Sequence, residues 1–264
     1  LLSLTGDKHQ KFSSVSRVPL TGGLFIFFGS ILFLKNDSLI LVIFSGIILI
    51  LGIFSDLKLI KSALVRFFLQ IIIVLFFLIF NDVQITNTRV LYLDNLLQNN
   101  LFNYLFVTFC VLIVINGSNF IDGMNTLNIG YYFILSSVIY FLDLSDNIIF
   151  HKDLIINILI LLFFVYLLNF FNKIYLGDSG SYFIGFIYAI FLIDIYFYNQ
   201  FISPFFIVLL LWYPCYENLF SIVRKYNLNF SPMEPDTNHF HQLIFFLIKK
   251  KFKLKTFASN ILTA

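Results

Sequence analysis

Eight apolar runs, at residues 24–34, 39–54, 63–80, 101–115, 129–142, 154–171, 182–197 and 205–220, leave this chain few ways to fold. Each is long and continuous rather than alternating, so the runs read as helices and not as barrel strands. Several hold only about 15 residues against the ~20 of a straight span, with polar caps and irregular ends making up the difference. Charged residues supply 12% of the 264, hydrophobic residues 59%, and the mean hydropathy is +0.92. A soluble chain carries about twice that charged share, so a bilayer must take up the apolar surface. The expected fold is all-α: a polytopic transmembrane helical bundle of about eight spans, one integral membrane domain over 1–264. The chain opens at Leu1-Leu2 and closes just after Ile261-Leu262, so further membrane helices are expected beyond both ends. No signal peptide is visible in the polar opening stretch. Cys110 and Cys215 fall inside apolar runs and read as small buried residues, not a disulfide or a metal site.

Alternation along the chain gives a test that needs no motif. If each run crosses once, segments 1–21, 55–62, 116–128, 172–181 and 221–256 share one face. Counting Arg66 with its neighbouring loop, that face holds 14 of the 17 Lys and Arg. Only Lys35, Arg89 and Lys152 fall on the other. The excess of positive charge marks the first face as cytoplasmic. Asp56, Asp122, Asp178, His239 and His241 collect there too.

The most polar of these segments, 116–127, reads Asn-Gly-Ser-Asn-Phe-Ile-Asp-Gly-Met-Asn-Thr-Leu. It carries no Lys or Arg, and its one charge, Asp122, stands among the amides of Asn116, Asn119 and Asn125. Carboxylate and amide oxygens with a close backbone suit a hard cation or a phosphate-and-sugar ligand; the plain alternative is a loop of ordinary turn formers. A second loop, Gly52-x-x-Ser55-Asp56-x-Lys58, leads to Arg66 and Gln70, one helical turn apart and pointing to a polar cavity. Arg66 is equally readable as a residue snorkelling to the interface. A third, Gly177-Asp178-Ser179-Gly180-Ser181, sets an Asp at a helix start whose backbone N–H groups favour an anion such as phosphate. Asp178 beside them suits a bridging Mg²⁺, and the alternative is that Asp178 or Ser179 simply caps the helix. A fourth, Pro232 to Leu243, holds His239 and His241, whose i, i+2 spacing without a nearby Cys argues against zinc. It precedes an amphipathic stretch, 240–251, whose Lys249-Lys250-Lys251 suits anionic lipid. No Ser-His-Asp arrangement, phosphate loop or dinucleotide fingerprint is present. The residues alone point to Mg²⁺-dependent chemistry on a diphosphate beside lipid.

Five motifs in order extend that reading: Pro19-Leu-Thr-Gly-Gly23; Gly52-x-x-Ser-Asp56 with Arg66 and Gln70; Asn116-x-x-Asn119-x-x-Asp122-Gly-x-Asn125; Gly177-Asp178-Ser-Gly-Ser; and Asn238-His239-Phe-His241-Gln-Leu. Together, across roughly residues 5–250, the chain resembles the polyprenyl-phosphate N-acetylhexosamine-1-phosphate transferases, glycosyltransferase family 4. The resemblance implies transfer of an amino-sugar-1-phosphate from a UDP-sugar to undecaprenyl phosphate, with release of UMP, in a bacterial inner membrane. It implies Mg²⁺, with Mn²⁺ as a substitute, and no nucleic acid; a homodimer stays open. Asp56, Asp122 and Asp178 take the catalytic positions, and Asp178 and Asn119 the metal. Asn116, Asn119, Asn125, Lys58, Arg66, His239 and His241 take substrate contacts, with Asn125 near uracil and the histidines facing pyrophosphate and sugar. Ser55 stands where most members carry a first Asp proposed as base, and Asn125 where many carry Asp. The loop His-Phe-His-Gln replaces three successive histidines, which favours an amino sugar for surface polysaccharide such as O-antigen over a muramyl-pentapeptide. A catalytically degenerate homologue and a small-solute transporter are the rival classes.

Overall fold

The computed structural model describes residues 18–32, 39–144, 152–199, 201–228 and 239–264. The basic segment 5–17, the turn at 35–37 and the 232–238 part of the histidine motif lie outside them. The described residues form helices and no strand: α1 (Gly22–Ile31), α2 (Leu39–Asp56), α3 (Ala63–Asn81), α4 (Leu91–Leu97), α5 (Asn100–Ile121), α6 (Leu127–Phe141), α7 (Lys152–Phe170), α8 (Gly177–Tyr198), α9 (Pro204–Leu210), α10 (Trp212–Asn227), α11 (Phe240–Phe252) and α12 (Thr256–Thr263). Helices occupy all eight apolar runs. Five of them, α2, α3, α5, α7 and α8, are long and apolar enough to cross a bilayer, and α1 and α6 are shorter apolar helices. The polytopic helical expectation holds, with α4 and α12 as helices that the apolar pattern did not mark.

The hub is α8, 78% of whose apolar window is buried, against 22% for α3. Beyond its polar first turn, and apart from Asp194, its residues are apolar on every face, and such a helix belongs inside. Between helices in lipid there is little hydrophobic driving force, so close packing of small residues decides association. Ser179, Gly180, Ser181 and Gly185 supply that surface on α8, where α1, α2 and α5 pack. A Cβ on Gly52 of α2 would fall 2.3 Å from the Cα of Ser179, so only glycine permits this contact. Outward positions such as Phe28, Ile43, Phe68 and Phe76 are exposed and suited to lipid tails.

The eighth run is not one straight helix. It divides into α9 and α10, which meet at 77°. Pro214 lacks the N–H that would bond the carbonyl of Leu210 four residues back, and proline at such a position bends a helix. The hydroxyl of Tyr131 donates to that carbonyl instead, at 2.5 Å. Beyond the bend, α10 runs to Asn227 and buries a polar stripe of Glu217, Asn218, Ser221 and Lys225.

Hydrogen bonds tie the connections into two opposite ends. At one, Asn103 donates to the carbonyls of Ile85 (2.8 Å) and Leu97 (3.0 Å), clamping the 82–99 connection onto α5. Tyr104 donates to Asp82 (2.7 Å) and Tyr196 to the Asn87 carbonyl (2.7 Å) there. At the other end lie the close of α2, the close of α5, the start of α8 and the start of α11.

Candidate active site

Three carboxylates meet at that second end. Asp56 closes α2, Asp122 follows the last turn of α5, and Asp178 stands in the first turn of α8. The first N–H groups of a helix lack partners within it, and the dipole there favours negative charge. Asp56 meets both needs: one oxygen accepts the N–H of Asp178 at 2.9 Å and the other that of Ser179 at 3.1 Å. The place expected for a phosphate, or for a cap by Asp178 or Ser179, is thus filled by a carboxylate from α2. Gly177 makes room for it. Its φ is +70°, and a Cβ there would lie 2.7 Å from an Asp56 oxygen.

Relieved of capping, Asp178 turns its carboxylate to Arg66, whose guanidinium donates at 2.9 Å. The Ser55 hydroxyl donates to the same oxygen and accepts from Arg66. Arg66 therefore points into the cluster and does not snorkel. Lys58 sits on an exposed turn with a left-handed φ of 59°, its N–H bonded to the Ser55 carbonyl at 2.8 Å. Asp122 is surrounded by protein but keeps one edge on a small open pocket with Gly123, Met124, Asn125, Asn169 and Tyr175. Burial pushes its pKa well above the carboxylate range. Repulsion from Asp178 and Asp56 adds to the rise, while hydrogen bonds from Ser181 and Asn128 oppose it.

The stretch 116–127 is not all loop. α5 continues to Ile121, so Asn116, Gly117 and Asn119 occupy its last turns. The side chains of Asn116 and Ser118 find partners inside the bundle, which removes the need to leave the helix. Asn116 donates to Gln70 (3.0 Å) and to the Leu112 carbonyl (2.9 Å), and Ser118 to the Val114 carbonyl (2.7 Å). Asn119, half-buried, offers its carbonyl to the Asp122 N–H at 3.3 Å. Asn125 donates to Asn172 across the small pocket, and Asn169 accepts the Thr126 N–H at 2.6 Å.

His239 and His241 lie at the start of α11, both buried. The His239 Nδ1 is 3.0 Å from a Glu217 oxygen, and the other Glu217 oxygen accepts the Phe240 N–H at 2.8 Å. The His241 Nδ1 lies 3.1 Å from the Tyr213 hydroxyl. Its Nε2 abuts Gly123, 3.0 Å from where a Cβ would stand. The histidines thus reach the Asp122 turn but are held by α10. Glu217, Tyr213, Asn169 and Asn172 are site-forming residues that sequence reasoning passed over. Glu217 had left a signal as the lone charge in the run 205–220. Cys110 and Cys215 are free and half-buried.

The donor chemistry suits a hard divalent cation. The cluster offers carboxylate and amide oxygens, and a cation among them would relieve the repulsion felt by Asp122. Among the described residues no three His, Cys, Asp or Glu side chains are placed so that they could hold a metal ion together, so amide oxygens would have to complete the set. Arg66 provides the positive charge at Asp178.

Fold and site define a class: a polytopic helical membrane protein that gathers carboxylates, amides, a guanidinium and two histidines at one end of its bundle. Residues 38–196 match Glycosyl transferase family 4, and the chain belongs to that family. The match takes in Asp56, Arg66, the 116–125 stretch and Asp178, and ends before α10 and the histidines. A protein of Bacillus subtilis (strain 168), described as a probable undecaprenyl-phosphate N-acetylglucosaminyl 1-phosphate transferase, is 28% identical over 236 residues. Those residues are 85% of this chain and 64% of the relative, so the chain spans less than two thirds of that protein's length.

Proposed function

We propose that the protein transfers an N-acetylhexosamine-1-phosphate from a UDP-sugar to undecaprenyl phosphate, releasing UMP, at the cytoplasmic face of a bacterial inner membrane. The reaction is read as the first membrane step of an envelope polysaccharide. The observation that carries this is the meeting of Asp56, Asp122 and Asp178 with Arg66 at one end of a bundle in this family. An oxygen of the lipid phosphate forms a bond to the β-phosphorus of the UDP-sugar. The bond from that phosphorus to the bridging oxygen breaks, and UMP departs with the oxygen. The lipid phosphate is already ionised near neutral pH, so Ser55 in the place of a carboxylate removes no indispensable proton acceptor. Asp178 and Asn119 would hold Mg²⁺, which when bound neutralises charge on the diphosphate. Arg66 orients a phosphate as it leaves Asp178, a planar fork suited to that anion. The pocket between Asp122, Asn125 and Asn169 receives the nucleotide side, and His239 and His241 close over sugar and pyrophosphate.

A second reading has one observation behind it. Arg66 and Ser55 already satisfy the carboxylate given to the metal, as expected of a homologue that binds UDP-sugar or lipid phosphate without turnover. Membranes carrying the full-length protein, undecaprenyl phosphate and a panel of UDP-N-acetylhexosamines separate the two. The transferase reading expects Mg²⁺-dependent UMP release with one sugar, reduced about 10–100-fold in Asp178→Asn. UDP-sugar binding without release from any sugar would support the degenerate homologue, and neither binding nor release would sink both.

A further inference from the structure

Tyr213 and Glu217 are one turn apart on α10 and present a single face to the start of α11. Glu217 is 1% exposed, and a carboxylate so buried needs partners for both oxygens. One takes the His239 Nδ1 at 3.0 Å and the other the Phe240 N–H at 2.8 Å, with the His241 Nδ1 3.8 Å from the latter. The carboxylate therefore does two things at once: it caps α11 and selects Nδ1 as the proton-bearing nitrogen of His239. Tyr213 then sets His241, and the two imidazoles lie parallel, 5.7 Å apart with 1° between planes. Phe120, from the last turn of α5, backs the His239 ring at 5.0 Å.

α10 is itself fixed to the helix that carries Asn116, Asn119 and Asp122. A Cβ on Gly117 would fall 2.1 Å from the Pro214 carbonyl oxygen, so α5 and α10 touch backbone to backbone. One turn on, Asn218 donates to the Ile113 carbonyl at 3.0 Å. The line of contact runs from α5 through Pro214 to Glu217, on to the histidines, and returns at Gly123 beside Asp122.

We propose that Glu217, assisted by Tyr213, is a positioning residue that sets His239 and His241 against the Asp122 turn. What the histidines face rests on the transferase reading above; that Glu217 holds them rests on the contacts alone. Full-length protein in nanodiscs provides the test, with Glu217→Ala, Glu217→Gln and Tyr213→Phe. The first readout is diethyl pyrocarbonate modification of His239 and His241, mapped by mass spectrometry and independent of turnover. Glu217→Ala is expected to speed modification at both about tenfold or more. Glu217→Gln, which still accepts from Phe240, restores part of the protection, and Tyr213→Phe exposes His241 more than His239. The second readout is kinetic. Loss of positioning lowers kcat/KM by about 10–100-fold and raises KM for the UDP-sugar while KM for undecaprenyl phosphate stays put. A merely structural role would instead reduce the active fraction and leave both KM values unchanged. Unaltered modification in folded Glu217→Ala overturns the proposal; if that variant does not fold, unaltered modification in Glu217→Gln does so. A wild-type protein that releases no UMP but shows the modification pattern would refute the transferase reading and leave the positioning role standing.

Discussion

Substituting Gly177 by Ala tests whether the fit of Asp56 against the start of α8 holds the site together. Two costs arise from the geometry. The backbone sits at φ +70°, where an L side chain costs about 1–2 kcal/mol. The new Cβ would stand 2.7 and 3.0 Å from the two Asp56 oxygens, so the carboxylate must retreat by several tenths of an ångström. That retreat stretches hydrogen bonds of 2.9 and 3.1 Å to the Asp178 and Ser179 N–H groups. Bonds to a charged group contribute about 1.5–3 kcal/mol each when whole. Losing half of that from the pair adds about 1.5–3 kcal/mol, for a total of about 2.5–5 kcal/mol. Denaturant unfolding in detergent micelles measures the change, and Gly130→Ala is the control. A Cβ at Gly130 of α6 meets only Tyr166 ring carbon at 3.4 Å, so that variant should match or slightly exceed wild type. A Gly177→Ala protein as stable as Gly130→Ala would refute the argument that α2 caps α8 through this gap.

Arg66→Met removes the positive charge 2.9 Å from Asp178, so Mn²⁺ followed by electron paramagnetic resonance should bind about tenfold more tightly; weaker binding would show that Arg66 builds the cation site instead of competing for it. Tyr131→Phe strips the Leu210 carbonyl of its donor at the α9–α10 bend and should destabilise the protein by about 1–3 kcal/mol in the same unfolding assay, with an unchanged midpoint counting against the explanation of the bend. UMP release should fall about 10–100-fold in Asp178→Asn, and retention of near wild-type release would remove Asp178 from the reaction.

The membrane character and the sorting of loops were legible because hydrophobic runs and charge answer directly to the bilayer. The approach of Asp56, Asp122, Arg66 and Asp178 could be anticipated only as a shared face. Which group pairs with which depends on distances between helices far apart in sequence. The N-terminal amides of α8 illustrate this: the local pattern offered Asp178, Ser179 or an outside anion, and the partner came from 122 residues earlier. The end of α5 is hidden in the sequence for a related reason. Asn, Gly and Ser read as turn formers in isolation, yet Asn116 meets Gln70 and Gly117 meets Pro214, so the helix runs on. The bend after α9 was hidden because Leu210, Leu211 and Trp212 continue an apolar run and one proline is easily absorbed by a span. Glu217 lies in that same run, where a lone intramembrane charge marks a site more often than a core.

In the proposed reaction phosphorus travels with the sugar. UDP-N-acetylglucosamine and its epimers labelled with ³²P at the β-phosphate, incubated with undecaprenyl phosphate, Mg²⁺ and membranes carrying the full-length protein, test it in one extraction. Label should enter the organic phase with one of these sugars, with unlabelled UMP left in the water and no transfer in Asp178→Asn. Sugar entering the lipid while the ³²P stays in water as UDP would contradict it.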